Sequence, residues 1–120
     1  MRRSADFDAT VRRGARAGRG TLVVHCRADA QAAGRTRVGL VVSRAVGNAV
    51  VRNKVRRRLR GVVVEQRAAL PEGADVVVRA LPPAGAADYS ALSGDFRSAL
   101  RSAARRAGLD VETSDVRGAR

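Results

Sequence analysis

The sequence predicts an α+β fold, with helices packed on a small sheet. Three observations carry this. Two valine-rich segments have the composition of strands, a long basic segment carries apolar residues at helical spacing, and a third apolar strand is followed by a second amphipathic helix. A chain of 120 residues with 45% hydrophobic content suits one domain with a real core. That core must be aliphatic, because Phe7, Phe96 and Tyr89 are the only aromatic residues.

The elements follow in order. Ser4 can cap a short helix with Asp6 in its first turn. Phe7 and Val11 share one face of it, and Gly14 can end it. Thr21 to Arg27 and Arg37 to Val42 read as strands, and a short extra strand can precede Gly20. The segment Ala28 to Thr36, with Asp29 and Gly34, reads as the loop of a hairpin joining the two longer strands. Gly47 breaks the second of them and Asn48 is an N-cap. The following helix is predicted to run to about Leu70, where Pro71 and Gly73 stop it. Ala74 to Ala80 is a buried strand ended by Leu81-Pro82-Pro83, and Ala84 to Asp88 a loop of small residues. Ser90 to Ala107 is a helix with Leu92, Phe96, Leu100 and Ala103 on one side and Gly108 as its C-cap. Residues 1–108 are thus read as one domain, and the polar, aperiodic residues 109–120 as a disordered tail.

The basic helix is the most informative segment. From Ala45 to Arg60 the chain holds six basic side chains and no acidic one, and the acid-free stretch extends from Ala30 to Val64. Val51, Val55, Leu59 and Val62 form a narrow apolar stripe, with Arg58 at its edge, where it must snorkel. Arg52, Arg56 and Arg60 repeat every four residues, beside a row of Asn53 and Arg57 and another of Lys54 and Arg58. Like charges at that spacing cost about 0.2–0.5 kcal/mol per pair. An opposing array of phosphates removes the cost. The formal charge of +13 and pI near 11.8 likewise point to an anionic partner, nucleic acid first and an anionic membrane surface second. Because Lys54 is the only lysine, arginine content by itself does not mark a binding position.

Other chemistry is not visible in the sequence. Cys26 is the only cysteine, which excludes an intramolecular disulfide and fits a reducing compartment. No signal-like segment opens the chain and no apolar run approaches the ~18 residues of a membrane helix, so the expected location is the cytoplasm. His25 is the only histidine and its neighbour Cys26 points to the other face of the same strand, so no nucleophile–base pair is expected. No metal-ligand spacing or phosphate-binding glycine loop is present. His25 reads by default as a satisfied structural residue and Cys26 as a small buried hydrophobe. Phe7 reads as core or as a platform for an unpaired base, and Arg79 as an edge charge or a phosphate-facing one.

The run Gly47-Asn48-Ala49-Val50-Val51-Arg52-Asn53-Lys54-Val55-Arg56-Arg57-Arg58-Leu59-Arg60 resembles the protein subunit of bacterial ribonuclease P. So do Val38-Gly39-Leu40-Val41-Val42-Ser43-Arg44 before it, Asp6-Phe7 and Gly14 in the first helix, and Asp75-Val76-Val77-Val78 in the late strand. The resemblance spans about Ser4 to Ala107. It implies an α-β-β-β-α-β-α two-layer sandwich of the ribosomal protein S5 domain 2-like type, with a left-handed β-α-β crossover, an exception to the usual hand.

It also implies a role: an accessory subunit, inactive alone, whose partner is a large catalytic RNA that holds Mg²⁺ and removes the 5′ leader of precursor tRNA. A 1:1 complex with that RNA is implied. The RNA-binding set carries over to Arg44, Asn48, Arg52, Asn53, Lys54, Arg56, Arg57 and Arg60, and the leader-binding cleft to Phe7, Val11, His25 and Arg79. Val11 stands where the family often has a second aromatic, His25 where a tyrosine can stand, and Leu81 where a basic residue is frequent. Weaker base stacking in the cleft is therefore expected. The alternative is a ribosomal or general RNA-binding protein without a role in cleavage. A double-stranded DNA binder fits less well, because the charges surround most of the helix instead of forming a narrow reading face.

Overall fold

A computed structural model of the chain describes residues 4–28 and 35–109, with the backbone alone for residues 4–7. Its elements are α1 (Ser4–Arg13), β1 (Ala15–Gly18), β2 (Leu22–Ala28), β3 (Arg37–Val41), α2 (Ala49–Glu65), β4 (Ala74–Ala80) and α3 (Tyr89–Arg106). Short 3₁₀ turns occupy Arg44–Val46, Arg67–Ala69 and Pro82–Gly85. This is the expected α-β-β-β-α-β-α order, and the short strand before Gly20 is β1.

The sheet order is β1-β2-β4-β3. β2 is antiparallel to β1 and β4, whereas β3 runs parallel to β4. The hairpin expected between β2 and β3 is therefore absent: β4 lies between them. The reason is in the run Ala-Asp-Val-Val-Val-Arg-Ala of β4, whose residues are buried on both faces apart from Arg79. A strand apolar on both sides belongs in the middle of a sheet, and the β3-α2-β4 crossover delivers it there. Arg79 is accordingly on a central strand, which corrects its reading as an edge charge.

Alternation along the strands sorts residues between the two faces. Leu22, Val24 and Cys26 of β2 and Val76 and Val78 of β4 are fully buried against α2 and α3, which supply Val55, Leu59, Val62, Leu92, Phe96 and Leu100. The other face carries Val23, His25 and Arg27 beside Arg79, Val77 and Asp75. α1 lies against β2 and β4. Gly14 is required by close approach: a Cβ there would sit 2.5 Å from the Thr10 carbonyl oxygen and 2.7 Å from that of Cys26.

One helix terminus departs from expectation and one follows it. α2 ends at Glu65, short of Leu70, because the Gln66 side chain turns into the α3 layer, its Nε2 donating to Ser93 Oγ (2.8 Å) and to the Ser93 carbonyl (3.1 Å). α3 is capped by Asp88, whose Oδ1 accepts from Ala91 N at 2.8 Å. At its far end Gly108 takes φ 76°, and the Leu109 and Gly108 amides donate to Ala104 and Arg105. This is a Schellman closure, with Leu109 packed on the core. Leu109, the first residue of the expected tail, packs on the core, and the rest of that tail lies outside the described residues.

Candidate nucleic-acid interface

α2 begins where expected. The Asn48 side chain accepts from Val51 N at 3.0 Å, satisfying one of the free amides of the first turn. Val55, Leu59 and Val62 are fully buried, and Val51 is half-buried at the top of the stripe. Burial of this stripe fixes which way the charges face. Arg44, Asn53, Arg57 and Arg60 are exposed, while Arg52, Lys54 and Arg56 are half-buried. Among the described residues none of these cations pairs with a carboxylate.

The basic side chains differ in what they touch. Arg58 is half-buried and its guanidinium donates to the Ala87 carbonyl at 2.7 Å, so the charged head is taken up by the fold where its place at the stripe's edge predicts snorkelling to water. Asn53 Oδ1 accepts from Arg56 at 3.2 Å, restraining that guanidinium beside its neighbours. The Arg52 Nε is buried with no hydrogen-bond partner among the described residues. Such a donor costs free energy until an acceptor reaches it. The arrangement is a cationic surface held rigid by a packed helix, suited to contacts with backbone phosphates.

The second candidate set lies on the opposite face of the sheet. Arg16, His25, Val77 and Gly39 form one row across the four strands, and Gly18, Val23, Arg79 and Val41 the next. His25 and Arg79 are therefore diagonal neighbours beneath the α1 side. Val11, on α1, is exposed. The Phe7 side chain lies outside the described residues. His25 is 1% exposed, yet neither ring nitrogen has a partner among the described residues, so it is not the satisfied residue that a lone strand histidine suggests. Burial first, then Arg79 and Arg16, push its pKa below the usual histidine value and keep the ring neutral. Cys26 is fully buried, and burial followed by Asp75 raises its thiol to about 11, which leaves it an uncharged core residue.

Sequence reasoning missed two features here. Arg16 approaches His25 only through the β1–β2 pairing. A groove between β3 and α2, lined by Val38, Gly39, Leu40, Arg56, Arg60, Val63 and Val64, joins segments distant in sequence. Its one sequence signal is the run Val62-Val63-Val64, which carries apolar residues past the buried stripe. Among the described residues no group of three or more His, Cys, Asp or Glu stands together, and no helix is long and apolar enough to cross a membrane.

A small α+β sandwich whose basic helix meets no carboxylate among the described residues has the surface of a nucleic-acid-binding protein. A family model described as Ribonuclease P matches residues 1–104. The Ribonuclease P protein component of Kocuria rhizophila is 56% identical over 106 residues, covering 88% of this chain and 92% of that one. The Ribonuclease P protein component of Streptomyces bikiniensis is 54% identical over 108 residues, covering 84% and 88%. The solved Staphylococcus aureus RNase P protein superimposes with a TM-score of 0.76 at 25% identity, over 86% of this chain and 93% of that one. The chain belongs to the ribonuclease P protein family.

Proposed function

We propose that this chain is the protein subunit of ribonuclease P, binding the catalytic RNA through α2 and the turn before it and the 5′ leader of precursor tRNA through the α1–sheet cleft. The observation that carries the first part is the α2 face: Arg44, Arg52, Lys54, Arg56, Arg57 and Arg60 meet no carboxylate among the described residues. Phosphates supply the missing counter-charge. Asn48 and Asn53 each have a structural task through the side-chain oxygen, and their NH₂ groups remain to donate to RNA. In the cleft, Phe7 and Val11 on α1 and His25 and Arg79 on the sheet hold the leader, Arg79 supplying charge and His25 a neutral ring.

The protein's contribution is positional and electrostatic. It neutralises backbone charge where two RNAs meet and raises substrate affinity. Mg²⁺ and the cleavage chemistry belong to the RNA in this reading, and the protein alone cuts nothing. The complex is 1:1 with the RNA and cytoplasmic.

Reconstitution tests this. Protein, ribonuclease P RNA and precursor tRNA are combined at low Mg²⁺ and leader removal is followed. Stimulation of a single cut at the mature 5′ end, with no cleavage by protein alone, is the expected outcome. RNA binding without stimulation would instead identify a general RNA-coating or ribosomal protein.

A further inference from the structure

The groove between β3 and α2 has a composition that phosphate binding leaves unexplained. Its volume is about 450 Å³, within the size range of small-ligand pockets. Its walls are Val38 and Leu40 from β3 and Val63 and Val64 from α2, and Arg56 and Arg60 stand on the same side as the cationic face. β3 is the last strand of the four-stranded sheet. Val64 is 60% exposed and carries the apolar wall of Val63 out to the surface. The wall is also held in place, because the next residue, Glu65, accepts from the Tyr89 hydroxyl at 2.7 Å.

We propose that this groove receives one unpaired base of the RNA that α2 binds, with the flanking phosphates on Arg56 and Arg60. The inference rests on the RNA-binding reading above and names what that interface recognises. A duplex backbone offers phosphates but nothing apolar to cover Val63, Val64 and Leu40. A splayed nucleotide presents both an apolar face and an anion, the two chemistries that the groove's valines and arginines offer together. Arg56, restrained by Asn53, also offers a guanidinium plane on which a base can stack. An acidic, apolar peptide has related chemistry. The continuity of Arg56 and Arg60 with Arg52 in one row, on a chain of formal charge +13, favours the nucleotide.

The test uses the full chain and a transcript of ribonuclease P RNA. Val64→Ser removes the exposed part of the apolar wall without changing charge. The variant should bind the RNA roughly tenfold more weakly with an unchanged salt slope, while Val64→Leu should bind like wild type. Thermal melting checks that both variants fold. A photo-crosslinking side chain at position 64 should mark a single unpaired nucleotide. Val64→Ser binding like wild type, crosslinks scattered over duplex, capture of a protein segment, or no crosslink would each overturn the proposal. Should wild-type protein itself show no salt-dependent affinity for the RNA, the RNA-binding reading fails first, and the groove with it.

Discussion

Two groups of arginines in this molecule have different roles. Arg19, Arg37, Arg58 and Arg106 are engaged by the fold. Arg19 donates to Ser98 and Ser102, Arg37 forms a two-pronged pair with the fully buried Asp75, Arg58 reaches the Ala87 carbonyl, and Arg106 reaches that of Arg16. Among the described residues Arg44, Arg52, Arg57 and Arg60 have no carboxylate opposite them, and Arg56 has only Asn53. The first group is structural mortar and the second an open surface. In a chain whose cations are nearly all arginine, composition does not separate the two. Acceptors brought near by the fold do.

The contrast can be broken from either side. Arg37→Ala leaves the Asp75 carboxylate buried without its partner and should cost about 3–5 kcal/mol of stability, read by urea denaturation. The salt dependence of RNA binding by the surviving folded protein should not change. Changing Arg52, Arg56 and Arg57 together to Gln should do the reverse. Melting stays near wild type, while the log–log salt slope of RNA binding falls by roughly 2–3, one increment of about 0.7–0.9 per lost phosphate contact. If that slope did not move, the open group would be as inert as ordinary solvated charge.

Three smaller effects sharpen the comparison. His25 has a folded-state pKa below its unfolded one, so the unfolded chain binds the extra proton first. Its contribution to stability is complete above the unfolded value of 6.5 and is lost as pH falls from there toward the depressed folded value. The slope is at most about 1.4 kcal/mol per pH unit. Denaturation at pH 7.5 and pH 5 should show a larger loss for wild type than for His25→Gln. Asn48→Ala removes the α2 cap and should cost about 1 kcal/mol. Arg58→Met keeps the apolar stem, loses the bond to Ala87 and should cost about 1 kcal/mol with no change in salt slope. Arg58 lies inside the basic run, so it is the sharpest check that position, and not charge, sorts the two groups.

Much of the fold was legible because its signals are local. The Asn48 cap, the Val55-Leu59-Val62 stripe, the valines of β4 and Gly108 each act within a turn or a strand, and all four lie where the sequence places them. The expected hairpin between β2 and β3 failed because strand order is a long-range property. Local pattern names strands but not their neighbours, and the place of β4 between β2 and β3 is set by its pairing with both. The end of α2 shifted for a related reason: Gln66 found Ser93 on α3, a partner no window around position 66 contains.

For the candidate site the division is similar. The sequence by itself determined that a helix exists whose charged residues from Arg52 to Arg60 are all basic, because helical periodicity fixes which residues share its surface. Only the tertiary structure decided that Arg58 is taken up by the fold while its neighbours are not, that His25 and Arg79 meet on one sheet face, and that Val64 overlooks a groove beside β3. Each of those depends on atoms contributed by another element, and periodicity along one segment carries no information about what lies across from it.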